Sequence, residues 1–168
     1  LSGYKKAMDR ITVLCCTNVS CTDKRKLLII GKSARPRCFK GLRMEGLPVE
    51  YHANKNAWMT TEIFRNWLTS WDQNLQLKQR KILLLVDNCA AHPHLDNLLN
   101  IQLEFLPPNT TSLVQPMDMG VIKNFKTLYR GKLVNYILES IDENLLKSST
   151  TAREISSKIS LLLAVVFR

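Results

Sequence analysis

The sequence predicts an α/β domain in which helices pack on a mixed sheet. Two strand-like apolar runs are followed by a helical pattern, two further apolar runs and then more helical pattern. Residues 82–86, ILLLV, form a continuous apolar run of strand length, which is typical of a strand covered on both faces. A chain of 168 residues with 45% hydrophobic and 23% charged residues can also bury a core.

The first elements predicted are a strand hairpin and the loop after it. Residues 10–19 and 27–32 are rich in apolar and β-branched residues, and the polar turn CTDKRK separates them. Glycine and proline then recur four times over residues 36–48, which predicts a loop. A short strand is expected near residues 49–51.

The next element predicted is an amphipathic helix that begins at Thr60 or Thr61, since either residue can cap it. Apolar residues recur beyond it in steps of three and four, which places them on one face. These residues are Ile63, Phe64, Trp67, Leu68, Trp71 and Leu75. The spacing makes both tryptophans core residues, and stacking on a nucleobase is the alternative role.

The second half predicts two strands and two helices. Residues 82–86 and 101–106 are the strands, and PPNTTS is a loop. A long helical pattern begins near Met117. After a polar break at 142–151, a last helix carries one apolar stripe formed by Ile155, Ile159, Leu162, Leu163 and Val166.

The positive charge is concentrated in the first part of the chain. The formal net charge is +10, and residues 1–43 alone carry +9, with eleven Lys or Arg against Asp9 and Asp23. Such a basic segment favours a polyanionic partner, nucleic acid first. A solvated surface without a partner is the alternative.

Cysteine usage and hydropathy limit the class of protein. The five cysteines include no CxxC pair and no zinc spacing with histidine, which predicts free, mostly buried thiols in a reducing compartment. No apolar run reaches the length of a membrane span, so no membrane partner is expected. Charged residues interrupt the N-terminus, which does not have the pattern of a signal peptide.

Two aspartates are the candidate catalytic residues. Asp87 follows the most apolar strand, at the carboxyl end where ligand groups gather in open α/β sheets, and Asn88 and His92 follow it. Asp118 lies at the start of the long helix. Taken singly, each has a structural explanation, because aspartate ends strands in turns and caps helices.

Taken together, the two aspartates suit a metal site. A loop, a strand and a second loop separate them, which can bring both to one edge of the sheet. Convergent carboxylates are what Mg²⁺ prefers, and they would repel one another without a cation. Two such ions support phosphodiester cleavage. A basic domain around an acidic pocket fits a nuclease better than a helix cap.

Five blocks of the chain closely resemble the pogo and Tigger branch of DDE transposases, which includes Tigger-derived, jerky-like and centromere protein B-like proteins. In order, the blocks are RITVLCCTNV, LLIIGKSARPRCFK, LPVEYHANKNAWMTTEIFRNWL, LLLVDNCAAH and FLPPNTTSLVQPMDMGVIKNFK. The resemblance implies an RNase H-like mixed sheet flanked by helices, with its first strand missing from this chain. It implies a partial DDE catalytic domain over residues 1–140 and a diverged or truncated helical extension over 141–168.

The resemblance also assigns site residues. It maps Asp87 and Asp118 onto the family's second and third catalytic aspartates, which hold Mg²⁺ or Mn²⁺, and makes Asn88 and His92 supporting residues rather than ligands. The family's first aspartate lies on the strand that is expected to be missing, and Asp9 does not match it. The fragment alone is therefore expected not to cleave DNA.

Three interpretations remain open. The chain is part of an active transposase, or a domesticated nuclear protein that binds DNA or chromatin without catalysis, or a structural module whose aspartates are caps. DNA is the expected partner, with no small-molecule substrate and with a homodimer through the full-length protein left open. The candidate phosphate contacts are Lys123, Lys126 and Arg130 on one helix face, and Arg35 and Arg37 in a loop. A solvated helix face explains the first three equally well.

Overall fold

The computed structural model describes residues 11–108, 115 and 117–145, and it has the mixed α/β architecture that the sequence predicts. A short π-helical turn, Met117–Val121, leads into the last described helix. Two 3-10 turns lie at Arg37–Phe39 and Met44–Gly46. The strands and helices are β1 Thr12–Leu14, β2 Leu28–Gly31, β3 Glu50–Ala53, α1 Thr61–Leu77, β4 Ile82–Val86, β5 Ile101–Phe105 and α2 Ile122–Leu145.

The first three strands form one sheet in the order β1-β2-β3. The predicted hairpin is confirmed, since β1 is antiparallel to β2, and β3 then pairs with β2 in parallel. β1 is shorter than the predicted strand over 10–19. The Asn18 side chain accepts a hydrogen bond from the Asp23 backbone N–H at 2.9 Å and donates to Ser20 and Thr22. These local bonds compete with the ladder and turn the chain early.

β4 and β5 form a separate parallel pair in which Leu84 lies opposite Leu103. Both strands have the bounds expected from the sequence to within one residue. The connection, residues 87–100, contains no helix or strand. Because the two strands are parallel, their carboxyl ends meet at one edge, followed by Asp87 and Leu106.

Helix α1 joins both sheets in one core. Its predicted start is confirmed, because Thr60 Oγ1 accepts a hydrogen bond from the Ile63 backbone N–H at 3.3 Å. Its apolar face packs on the strands, as the spacing predicts. The buried residues of this core are Leu28, Ile30, Phe64, Trp67, Leu68, Leu75, Val86 and Ile101.

The direction of α1 defines two ends of the molecule. Near its start, Phe64 contacts the ring of His92, which follows β4. Near its end, Asp72 bonds the residues that lead into β5. Arg25, which precedes β2, also lies over Trp71 near the end of the helix, and β3 is parallel to β2. The helix therefore runs opposite to strands β2 to β5. The end at which these strands begin is called the amino end, and the other the carboxyl end.

The strand buried on both faces is β2 rather than β4. Leu28 and Ile30 face α1, while Ile29 packs in a second cluster with Phe39 and Leu47 from the following loop. On β4, by contrast, Leu83 is 59% exposed and Leu85 is 53% exposed. The expectation that β4 is covered on both faces is wrong for the described residues. The apolar run alone cannot show which strand the loop covers.

The last described helix, α2, begins where the helical pattern predicts, after the π-helical turn. The predicted final helix, with its stripe at 155–166, lies outside the described residues, as does most of the PPNTTS loop. Among the described residues, no helix is both long and apolar enough to cross a membrane.

Candidate active site

Asp87 stands at the carboxyl end of β4, at the first position beyond the strand. The pairing of the two strands holds it there, since the Leu106 backbone N–H donates to the Val86 carbonyl at 2.8 Å. The Asp87 side chain is 36% exposed, so its carboxylate is accessible to solvent ions. The expected position of Asp87 at this edge of the sheet is therefore observed.

The loop after Asp87 turns back on itself and returns His92 to the aspartate. The Cys89 backbone N–H donates to the Asp87 carbonyl at 2.9 Å, and the His92 backbone N–H donates to the Cys89 carbonyl at 2.9 Å. Two successive turns of this kind bring a side chain five positions later beside the first residue. The sequence spacing of Asp87 and His92 is thereby explained by the backbone.

His92 holds the carboxylate of Asp87 in place. Its Nδ1 lies 2.7 Å from Asp87 Oδ1 and 3.3 Å from the Asp87 carbonyl oxygen. The His92 side chain is only 10% exposed, and its ring lies 4.1 Å from that of Phe64 on α1. A buried, stacked imidazole has one orientation, so it fixes the rotamer of Asp87. Among the described residues, Asp87 Oδ2 makes no hydrogen bond or ion pair.

The second predicted carboxylate, Asp118, belongs to the π-helical turn Met117–Val121 that precedes α2. The position of its side chain lies outside the described part of the structure, so its convergence with Asp87 stays a prediction. Asn88 is exposed beside Asp87. Within the described residues no group of three His, Cys, Asp or Glu side chains is arranged to hold a metal ion.

The predicted DNA-contacting cations are exposed. Lys123, Lys126 and Arg130 all face solvent on α2. Arg35 and Arg37 are exposed in the loop that follows β2. β2 finishes at the same end of the molecule as β4, so this loop leaves the sheet from the end that carries Asp87. Contact of any of these residues with nucleic acid remains a prediction.

One important carboxylate was not predicted. Asp72 is buried on α1, and its oxygens accept hydrogen bonds from the backbone N–H groups of Asn100 at 2.7 Å, Ile101 at 3.0 Å and Leu99 at 3.2 Å. The Gln76 side chain donates to it at 2.7 Å. Burial opposes ionisation, but these hydrogen bonds outweigh it and hold the pKa of Asp72 below its usual value.

The signal for Asp72 was present in the sequence. It lies four residues after Leu68 and three before Leu75, on the apolar stripe of the helix, where an acid is out of place unless it has partners. Its role is structural, because its bonds position the start of β5 beside β4. This carboxylate lies at the amino end, away from Asp87.

The cysteines of the described chain are free, as expected. Cys15, Cys16, Cys21 and Cys89 form no disulfide, and burial raises the pKa of the Cys15 and Cys16 thiols, that of Cys16 to about 11. Cys21 and Cys89 are exposed rather than buried. Cys15 and Cys16 are half-buried, so none of these four residues meets the expectation of mostly buried thiols.

Known proteins resemble this chain closely. It is 43% identical over 140 residues to the mouse protein named Tigger transposable element-derived protein 4, covering 83% of this chain and 27% of that protein. The human Jerky protein homolog is 39% identical over 134 residues, or 73% of this chain and 24% of that protein. Mouse major centromere autoantigen B is 35% identical over 131 residues, or 77% of this chain and 21% of that protein.

These comparisons agree with the resemblance seen in the motifs. The chain spans about a quarter of the length of these relatives. No solved structure matches it significantly. The sequence profile of the DDE superfamily endonuclease domain matches residues 8–164. The chain therefore belongs to the DDE superfamily endonuclease family, with Tigger-derived, Jerky and centromere autoantigen B proteins among its relatives.

Proposed function

We propose that this chain is part of a DDE-type, transposase-derived domain that binds DNA and whose ancestral chemistry is metal-dependent strand cleavage and transfer. The observation that carries the proposal is the paired Asp87 and His92 at the carboxyl end of β4. The carboxylate is oriented through one oxygen, and the other oxygen has no partner among the described residues. Such a carboxylate is suited to a hard cation such as Mg²⁺ or Mn²⁺.

The proposed metal site needs two carboxylates besides Asp87. Asp118 is one of them, and the turn before α2 follows β5, the strand beside β4. When bound, the metal ions would activate a water or 3′-hydroxyl and stabilise the leaving oxygen. The protein residues keep Asp87 in one rotamer and hold the site at an open edge.

The remaining carboxylate, the family's first aspartate, belongs on a strand for which the two described sheets have room. Within the described residues, β1 and β4 each have only one neighbouring strand, β2 and β5 respectively. In the proposed RNase H-like arrangement, a strand that carries the first aspartate pairs with both free edges and merges the two sheets. We propose residues 1–140 as a partial catalytic domain of this kind and 141–168 as its helical extension.

Metal titration tests the site directly. The free chain is titrated with Mn²⁺ and followed by the paramagnetic signal of the ion, for the wild type, Asp87→Ala and Asp118→Ala. Each substitution is expected to weaken Mn²⁺ binding by at least tenfold. Asp96→Ala is the matched control, because Asp96 is an exposed aspartate in the same loop as His92. Equal Mn²⁺ binding by all four proteins would mean that the aspartates are only caps.

Cleavage is the second test. The chain alone is expected not to nick supercoiled DNA in Mn²⁺, because the proposed site needs a first carboxylate that no residue of this chain matches. Metal-dependent nicking that disappears in Asp87→Ala would contradict this and would support a complete site.

The alternative function is a nuclear DNA- or chromatin-binding protein without catalysis. It is favoured by relatives whose names refer to the centromere, including the fission yeast CENP-B homolog protein 2, 34% identical over 151 residues. The two functions differ in the full-length protein: an enzyme gains metal-dependent nicking when the first strand is present, and a binder does not. DNA as the partner, the nucleus as the location and a homodimer of the full-length protein are part of the proposal in either case.

A further inference from the structure

Two basic runs that are far apart in the sequence meet at the amino end of the molecule. Residues 24–26, KRK, lead into β2, and residues 78–81, KQRK, connect α1 to β4. Arg80 Nη1 lies 2.7 Å from Asp23 Oδ2, so an ion pair ties the two segments together. The amino-end patch is defined here by six cations: Lys24, Arg25, Lys26, Lys78, Arg80 and Lys81.

The patch surrounds a small pocket. A cavity of about 80 Å³ is lined by Arg25, Lys78 and Arg80 together with Asp23 and Trp71. Three cations thus face one acid across a space large enough for an anionic group. Lys24, Lys26 and Lys81 adjoin lining residues in the sequence, are exposed and make no ion pair with any described residue. The patch is therefore an unbalanced positive surface.

The guanidinium of Arg25 is positioned in this pocket by its neighbours. Its guanidinium lies 4.8 Å above the Trp71 ring, and its Nη2 is 3.8 Å from Glu50 Oε1, which is beyond hydrogen-bond distance. Its Nε is buried and has no hydrogen-bond partner in the described structure. Arg25 lines the pocket and its side chain is 28% exposed, so its planar, stacked guanidinium can reach a phosphate there with little loss of rotamer freedom.

We propose that the amino-end patch binds the phosphodiester backbone of nucleic acid, with one phosphate in the pocket beside Arg25 and its neighbours on the surrounding lysines. This inference rests on the proposed function, which identifies the polyanion as nucleic acid. The patch is a second surface that contacts it. β4 separates Lys81 of the patch from Asp87 by about 20 Å, the span of six residues along a strand. The nucleic acid bound here is therefore a distal part of the duplex, or a second duplex, and not the segment that lies at Asp87.

Charge reversal at Lys78 tests this surface. Lys78 lines the pocket and is exposed, and Arg65 is an exposed cation on the outer face of the same helix, near its other end. Binding of a fluorescent duplex is measured by anisotropy from low to moderate salt. Lys78→Glu is expected to weaken binding about tenfold, and its dependence on salt should be shallower by roughly one ion. Arg65→Glu, with the same change in net charge, is expected to change it less than twofold.

Further variants keep the test decisive. A glutamate at the end of a helix opposes the helix dipole, so Lys78→Gln is included, with an expected loss of about threefold and an unchanged thermal midpoint. Arg25→Lys keeps the charge but removes the fork and the buried donor, and it is expected to weaken binding by a similar factor. If only the net charge mattered, Lys78→Glu and Arg65→Glu would weaken duplex binding by the same factor. That result would overturn the proposal.

The remaining outcomes separate this proposal from the proposed function. If the duplex binds but the Lys78 variants bind as the wild type does, the patch is not a nucleic-acid surface, and the site at Asp87 is unaffected. If Lys78→Glu weakens binding while Asp87→Ala leaves Mn²⁺ binding unchanged, the patch stands and the metal site fails. No binding of the wild type to the duplex, or preferential binding of polyglutamate, overturns the patch as a nucleic-acid surface.

Discussion

At the scale of single residues, two carboxylates have opposite surroundings and therefore different roles. Asp72 is buried and satisfied by four donors, whereas Asp87 is accessible and one of its oxygens has no partner in the described part of the chain. A fully bonded carboxylate has no lone pairs to offer a metal ion, so its value is structural. The half-bonded one is the candidate ligand.

Removal of the Asp72 carboxylate is expected to destabilise the fold. Asp72→Ala leaves three backbone N–H groups without partners at the start of β5, that of Ile101 buried and the other two part-buried, and an unsatisfied buried donor costs about 1–3 kcal/mol. We expect the free energy of unfolding to fall by about 3 kcal/mol or more, measured by urea denaturation at pH 7. Asp96→Ala, at an exposed position, is expected to change it by less than about 0.5 kcal/mol.

The same residue sets a pH dependence. Because the pKa of Asp72 is lower in the folded state than its ordinary value of 3.8, its contribution to stability is complete above that value. The contribution is lost as the pH falls from there through the lower, folded pKa. Asp72→Asn does not titrate, so its stability relative to the wild type should improve between pH 4 and pH 2. A constant difference over this range would contradict the assigned pKa direction.

Thiol reactivity should divide the cysteines by burial. Burial raises the pKa of Cys15 and Cys16, so few of these thiols are ionised at pH 8, whereas Cys21 and Cys89 are exposed. Iodoacetamide followed by peptide mass spectrometry is expected to label Cys21 and Cys89 first in the native chain. In urea, the difference should disappear. Rapid native labelling of Cys16 would contradict the described burial.

At the scale of elements, the features that could be predicted are those that depend on residues close together in the sequence. Thr60 capping, the stripe from Phe64 to Leu75 and the bounds of β4 all follow from local spacing, and all are observed. The pairing of β3 with β2, the covering of β2 by the loop around Phe39 and the meeting of Arg80 with Asp23 depend on contacts between distant segments. No periodicity within a short window contains that information.

The end of α1 offers a test of local backbone energy. Gln79 follows the helix with a φ of 53°, the left-handed conformation that glycine adopts without strain, and Arg80 N–H then donates to the Leu75 carbonyl. Gln79→Gly is expected to raise the free energy of unfolding by about 0.5–1 kcal/mol, after its greater entropy in the unfolded chain is counted. Gln79→Ala, which keeps a Cβ, is the control and should bring no gain.

At the scale of the whole molecule, the two described sheets have free edges on the side where the proposed site needs a further carboxylate. β4 carries Asp87 at its end, pairs with only one described strand, and exposes two leucines on its outer face. The position of Asp87 was predictable because an acid after an apolar run is a local feature. The division of the sheet into two parts was not, because it depends on which strands find partners.

A strand edge that has no described neighbour and lies beside exposed leucines favours association between copies of the chain. The double substitution Leu83→Lys with Leu85→Lys is expected to abolish concentration-dependent self-association, measured by sedimentation velocity, and to change the free energy of unfolding by less than about 1 kcal/mol. Leu84→Lys is the matched control: its side chain points to the opposite, packed face, so it should cost about 3 kcal/mol or more. A comparable loss of stability from the Leu83 and Leu85 substitutions would mean that this face is covered in solution. Unchanged self-association with intact stability would instead place the contact between copies elsewhere on the molecule.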